Sequence, residues 1–135
     1  MRLVLCHGCW DGIHAGHLRH LEAAKAAGDR LIVSVSTDAA IRKGPGRPYM
    51  PERQRLQLVQ ALRCVDEAML NADPSASGLI RFIRPAVFAK GHDYFARDEP
   101  WHIDELLAIQ AVGGTMLYTP GDVVYSSTVV FAQSS

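Results

Sequence analysis

The amino-acid sequence predicts an α/β domain of three layers, with helices on both faces of a five-stranded, mainly parallel sheet. Two observations carry this. Short runs rich in apolar and β-branched residues alternate with segments whose apolar residues recur every three or four positions, the pattern of strand–helix–strand crossover units. The runs themselves lack an in-out alternation, as strands covered on both faces do. The 135 residues are the size of one domain, and folding at that length buries roughly 70% of the unfolded surface.

The strand RLVLC (2–6) runs straight into Gly8, Asp11 and Gly12. Leu18, Leu21, Ala24 and Ala27 recur every third residue and predict a helix over 15–27, with Gly28 as its C-terminal stop. RLIVSVST (30–37) is the second strand. After the loop KGPGRP (43–48), Pro51 opens a helix to about Leu62, with Leu56, Val59 and Leu62 inward. VDEAML (65–70) is the third strand, and Ser77 caps a short helix to Ile83. AVFAK (86–90) is the fourth strand. WHIDELLAIQAV (101–112) is a helix closed by Gly113-Gly114, and TMLYT (115–119) is the fifth strand. No repeat, low-complexity tract or linker interrupts the chain, so a single domain over 1–135 is expected.

Composition narrows the function classes. Lys plus Arg and Asp plus Glu both number 14, so net charge gives no reason to expect a nucleic-acid or membrane partner. Arg42, Lys43 and Arg47 form a local basic cluster. No stretch approaches the roughly 18 apolar residues of a membrane span, and the start turns polar too soon for a signal peptide. Three cysteines suit reduced thiols, which points to the cytoplasm.

In a parallel α/β sheet, ligands bind outside the carboxyl ends of the strands. Residues 7–17, 91–94 and 120–128 are expected to meet there. The first of these segments belongs to CHGCWDGIHAGHLRH (6–20), which holds two cysteines and four histidines. As a zinc site it is badly spaced, with four residues between Cys9 and His14 where a finger has about twelve. As a redox motif, Cys6-His7-Gly8-Cys9 lies several residues before the helix whose N-terminus would activate a thiol. Gly8, Asp11, His14, Gly16 and His17 give a third reading. A glycine-containing loop enters a helix whose free N–H groups favour an anion, and two imidazoles are presented to the same place. His7 and His20 read as packing or surface residues.

GCWDGIHAGH (8–17) resembles the G-x-F-D-x-x-H-x-G-H signature of the cytidylyltransferase-like nucleotidyltransferases, with Trp10 where phenylalanine is usual. GDRLIVSVSTD (28–38) resembles that family's second strand, followed by a loop whose basic residue contacts phosphates; Lys43 is the candidate. RPYMPERQR (47–55) resembles an R-P-x-x-P-x-x-x-R segment of several branches and brings forward Arg47 and Arg55. LRCVDE (62–67) resembles the R-x-V-D-E segment of glycerol-3-phosphate and choline-phosphate cytidylyltransferases and adds Arg63. KGHDY (90–94) resembles the nucleotide-facing segment after the fourth strand, with Lys90, Gly91 and Asp93. YSST (125–128) resembles the motif that opens the last helix and binds the triphosphate, through Ser126, Ser127 and Thr128. Each element taken alone has a plainer reading: Lys43 and Arg47 as solvated loop charges, the serines as a helix cap, Arg55 in a surface ion pair.

The resemblance implies a Rossmann-like fold and a nucleotidyl transfer. A phosphate monoester, mostly a dianion at pH 7, attacks the α-phosphate of a nucleoside triphosphate and pyrophosphate leaves. It assigns His14, His17 and Lys43 to catalysis, and Gly8, Trp10, Asp11 and Gly16 to the nucleotide. Asp11 either helps place the metal or braces the turn. Arg47, Arg55 and Arg63 fall to the substrate. Mg2+ bridging phosphate oxygens and a homodimer are implied too. KGHDY and Gly113-Gly114 resemble the heptose 1-phosphate adenylyltransferase branch, with His92 in place of a glycine, which makes ATP and a sugar 1-phosphate the expected substrates. CTP with glycerol 3-phosphate or another polyol phosphate is the alternative, although that branch's R-T-x-G-I-S-T-T ending is not reproduced. A catalytically silent nucleotide-binding module is the other alternative. Tyr94, Trp101 and His102 are candidates for an acceptor pocket or for packing.

Overall fold

A computed structural model describes residues 1–41, 44–91 and 99–120. Its five strands are β1 (Leu3–Gly8), β2 (Arg30–Ser36), β3 (Glu67–Asn71), β4 (Val87–Gly91) and β5 (Thr115–Thr119). They are linked in turn by α1 (Ala15–Ala26), α2 (Glu52–Gln60), α3 (Ser77–Ile83) and α4 (Pro100–Ala111). The strands form one sheet in the order β3-β2-β1-β4-β5, and every neighbouring pair is parallel. From β1 the chain winds outward to β2 and β3, then returns past β1 to lay down β4 and β5. Strand order therefore reverses between β1 and β4, the switch point where open sheets of this kind leave a crevice for ligands.

Two apolar clusters cover the two faces. On one, Val4, Cys6, Leu31, Val33, Val35, Val87 and Ala89 pack with Leu21 and Ala24 of α1 and Val59 of α2. On the other, Leu5, Ile32 and Phe88 pack with Ile80 of α3 and Ala108 and Ile109 of α4. Adjacent strand residues thus enter opposite cores, which is why the strands read as unbroken apolar runs.

Boundaries differ from the sequence expectation for local reasons. The third strand starts at Glu67 rather than Val65, because Val65 turns into the core while Asp66 accepts from Leu31 N–H at 2.7 Å and Lys25 Nζ at 2.5 Å. Ser77 is the first residue of α3 rather than its cap, and its N–H donates to Ser75 Oγ at 2.9 Å. Gly28 owes its place to crowding: a Cβ there would lie 2.6 Å from the Arg2 carbonyl oxygen and from Val4 Cγ2. Among the described residues no helix is long and apolar enough to cross a membrane.

Candidate active site

The turn between β1 and α1 stands at the switch point. Trp10 adopts a positive φ of 56° and Gly12 one of 91°, which turns the chain back toward the sheet. The Trp10 indole is 5% exposed and donates from Nε1 to the Ser34 carbonyl at 2.9 Å. Gly8 leaves room for it, since a Cβ at that position would sit 2.9 Å from the ring.

His14 is the N-cap of α1, with extended backbone at φ −134° and ψ −178°. Its Nδ1 accepts from Gly16 N–H at 3.0 Å, and its own N–H donates to His17 Nδ1 at 3.2 Å. Two histidines thus form a reciprocal capping box, a role usually filled by Ser or Thr with Glu. The chemistry follows directly. A ring nitrogen that accepts a hydrogen bond carries no proton, so each neutral imidazole holds its proton on Nε2. The pair is therefore two Nε2–H donors whose rings lie 4.0 Å apart. Burial pushes the His14 pKa below the usual range, in keeping with the neutral form that the cap requires. His14 Nε2 is buried and has no hydrogen-bond partner among the described residues. A phosphate oxygen would satisfy it. The N–H of Gly16, one of the donors at the start of the helix, is taken up by His14.

Behind the histidines the turn is braced by buried charges. Asp11 is 1% exposed and accepts from Arg47 Nε at 2.8 Å, Tyr49 N–H at 2.6 Å and Met50 N–H at 2.9 Å. Burial by itself would raise its pKa, but the two backbone donors and Arg47 outweigh that and hold it below the ordinary carboxylate value. Oδ2 takes two of these bonds and Oδ1 the third, an arrangement that fits the brace among the two roles open to Asp11. No three His, Cys, Asp or Glu side chains among the described residues gather as a metal-holding group. The Arg47 guanidinium also lies 4.3 Å from the Tyr49 ring centroid.

Arg55 differs from expectation. Its side chain is wholly buried and donates to the carbonyls of Met50 (2.9 Å), Cys9 (2.8 Å) and Ser36 (2.6 Å) and to Asp38 Oδ1 (2.6 Å). It ties the loops after β1 and β2 together rather than reaching a substrate. Arg63 is exposed in the turn between α2 and β3, at the amino ends of the strands, so a parallel sheet puts it across from the histidines. Lys90 shares its strand face with Phe88, opposite α1, and its ammonium is buried against Glu105 Oε1 at 2.5 Å and 4.5 Å from the Trp101 ring centroid. Glu105 Oε2 accepts from Ala76 N–H at 2.8 Å. Lys90, expected to face the nucleotide, is instead paired internally with Glu105. Gly91 ends β4, paired with Thr119 of β5. Lys43, Asp93, Tyr94, Ser126, Ser127 and Thr128 lie outside the described residues.

Cys6 is a core residue, its thiol pKa pushed far up by burial and then by Cys64, which leaves it no redox character. His7 spans to β2, its ring nitrogens 2.7 Å from Ser34 Oγ and 3.4 Å from Ser36 Oγ. Burial and then the Lys90 charge lower its pKa to about 4. His102 is buried, with Nε2 3.2 Å from the Tyr118 hydroxyl, in keeping with packing. His20, read as a packing or surface residue, stacks on Trp10 and bonds to Thr119 of β5. The signal was its spacing: His14, His17 and His20 recur every third residue and so share a helix face.

Comparisons with known proteins agree with this geometry. The cytidylyltransferase-like family model matches residues 5–131. The bifunctional protein HldE of Methylobacillus flagellatus is 44% identical over 95 residues, 69% of this chain and 20% of that protein. The HldE of Streptomyces coelicolor is 36% identical over 135 residues, 98% of this chain and 28% of that protein. The chain thus spans between a fifth and just over a quarter of the length of these relatives. The lipopolysaccharide core biosynthesis protein of Thermoplasma volcanium superposes with a TM-score of 0.72 at 27% identity, covering 90% of this chain and 99% of that one. The pantoate-beta-alanine ligase of Francisella tularensis, at 14% identity and a TM-score of 0.61, covers 96% of this chain and 65% of that one and shares the fold. With the family model running from β1 past β5 and the histidine pair at its switch point, the chain belongs to the cytidylyltransferase-like family.

Proposed function

We propose that the chain transfers a nucleoside monophosphate from a nucleoside triphosphate to a phosphorylated sugar, with ATP and a heptose 1-phosphate as the pair of first choice. The observation that carries this reading is the capping box, which presents two neutral Nε2–H donors at the N-terminus of α1. An oxygen of the acceptor phosphate attacks the α-phosphorus, the bond from that phosphorus to the bridging oxygen breaks, and pyrophosphate departs with the electron pair. The acceptor is already a dianion, so no protein base is needed. The work left to the protein is alignment of two anions and stabilisation of the charge that builds on the phosphates. His14 and His17 donate to those oxygens, with the helix dipole behind them. Lys43 is proposed as the cationic clamp and Ser126, Ser127 and Thr128 as further donors. Magnesium would enter on the nucleotide, held by phosphate oxygens. The preference for a sugar phosphate leans on the HldE relatives and on KGHDY.

The test is pyrophosphate release by the purified protein with magnesium, pairing ATP, CTP, GTP and UTP with heptose 1-phosphates, other sugar 1-phosphates, glycerol 3-phosphate and phosphocholine. Release with ATP and a heptose 1-phosphate is expected. CTP with a polyol phosphate would replace the substrate assignment and keep the reaction. His17→Ala should fold and lose about 10²–10³ in kcat. Nucleotide binding with no release from any pair would identify a silent module and overturn the proposal.

A further inference from the structure

The His17 ring is held between two neighbours. On one side stands His14, and on the other the Trp10 indole, edge-on with centroids 5.6 Å apart and planes at 67°. Trp10 is itself backed by His20, whose ring lies nearly parallel to it at 20°, with centroids 6.1 Å apart. His20 is anchored in turn at the far end of the sheet: its Nδ1 is 2.6 Å from Thr119 Oγ1, across 99 residues of sequence. Thr119 is 1% exposed, and its hydroxyl donates to the Lys90 carbonyl at 3.3 Å.

From these contacts we infer that His20 is a positioning residue for nucleotidyl transfer, holding Trp10 against His17 and tying the histidine helix to the carboxyl ends of β4 and β5. The contacts run in an unbroken series from His14 through His17, Trp10 and His20 to Thr119 and the Lys90 carbonyl. Trp10 already has one fixed point, its bond to Ser34. The rest of the indole is packed in the apolar cluster on that face of the sheet, and the His20 ring is the aromatic neighbour that lies along its plane. Stacking sets the angle of Trp10, and the Thr119 bond sets where the His20 ring stands. His20 thus acts on His17 through Trp10 and touches neither substrate nor reacting atoms. This role rests on the nucleotidyl-transfer reading for its kinetic arm alone.

Three variants test it: His20→Ala removes ring and hydrogen bond, His20→Phe keeps the ring, and Thr119→Val removes the anchor. His20→Ala should lower kcat about tenfold, the scale of a displacement well under 1 Å, and leave KM for the nucleotide unchanged. His20→Phe should recover most of the loss. Independently of activity, the ring 15N and 13C resonances of His17 should move in His20→Ala and in Thr119→Val and return toward wild type in His20→Phe. Wild-type His17 resonances in a folded His20→Ala protein would overturn the inference, as would an equal loss in the Phe variant. If His20→Ala does not fold, the Thr119→Val spectrum decides. A wild-type protein that turns over no substrate pair defeats the nucleotidyl-transfer reading, and the resonances still report on His20.

Discussion

His14 does two separable things, and a substitution can part them. Asn is as good an N-cap as Ser or Asp, but its short amide does not reach where Nε2 stands. His14→Asn is therefore expected to keep the stability of the folded protein within about 0.5 kcal/mol and to lower kcat by about 10²–10³. His14→Ala should lose the same activity and about 1 kcal/mol of stability as well. Urea unfolding beside steady-state kinetics distinguishes the two. The sequence showed the histidines as a pair but not how they bond, because a capping box is usually written with other residues. Lys90 and Phe88 illustrate what was within reach. Two apart on one strand they must share a face, so with Phe88 in the core against α3 and α4 the lysine had to follow it, away from α1.

The loops after β1 and β2 are joined through one residue of α2. Arg55 enters the fold from the first turn of that helix and donates to three carbonyls, that of Ser36 buried and those of Met50 and Cys9 partly so. Arg55→Ala should cost about 3–5 kcal/mol, since it empties the place of a wholly buried side chain and leaves the buried Ser36 carbonyl unpaired. Asp38, 45% exposed at its side chain, can turn to water instead, and Asp38→Asn should cost under about 1 kcal/mol. Denaturant midpoints at constant slope measure both. A stability change in Asp38→Asn equal to that of Arg55→Ala would mean that the ion pair, and not the three carbonyls, holds the loops. The elements themselves were legible from apolar period alone: all five strands and four helices of the described residues fall where the sequence puts them, within about two residues. The destinations of Arg55 and Arg63 were not legible. Periodicity says that a residue is on a helix or a turn, but only the packed sheet says which end of it the residue meets.

Taken together, the buried groups make folding sensitive to acid. His7 has a folded pKa of about 4 against an unfolded value near 6.5. As pH falls through 6.5 the unfolded chain takes up the proton and the folded one does not, so the stabilising difference is lost progressively between pH 6.5 and 4. Integrated over that window the loss approaches about 3 kcal/mol, and the lowered pKa of His14 acts in the same direction. Asp11 and Asp66, held below the ordinary carboxylate value, give up their share lower still. Melting midpoints followed by circular dichroism should fall from pH 7 to pH 4.5, and His7→Gln should flatten that fall. The fold class was readable at this level because doubly covered parallel strands leave an unmistakable trace. The doubling back of strand order at β1 was not, since alternation alone does not say on which side of the first strand the fourth will lie.

The parallel sheet also gives the molecule a practical polarity. Asp29 and Arg30 N–H both donate to the Arg2 carbonyl, and Met1 is 91% exposed just beyond it. Residues 1 and 2 therefore lie at the amino edge, and the six residues of β1 carry the chain about 17 Å to the histidine edge. An affinity handle joined ahead of Met1 leaves from the surface that turns its back on His14 and His17. Protein tethered to a bead or sensor chip by that handle would point its reactive crevice at the bulk solution, open to small phosphorylated molecules flowed past it.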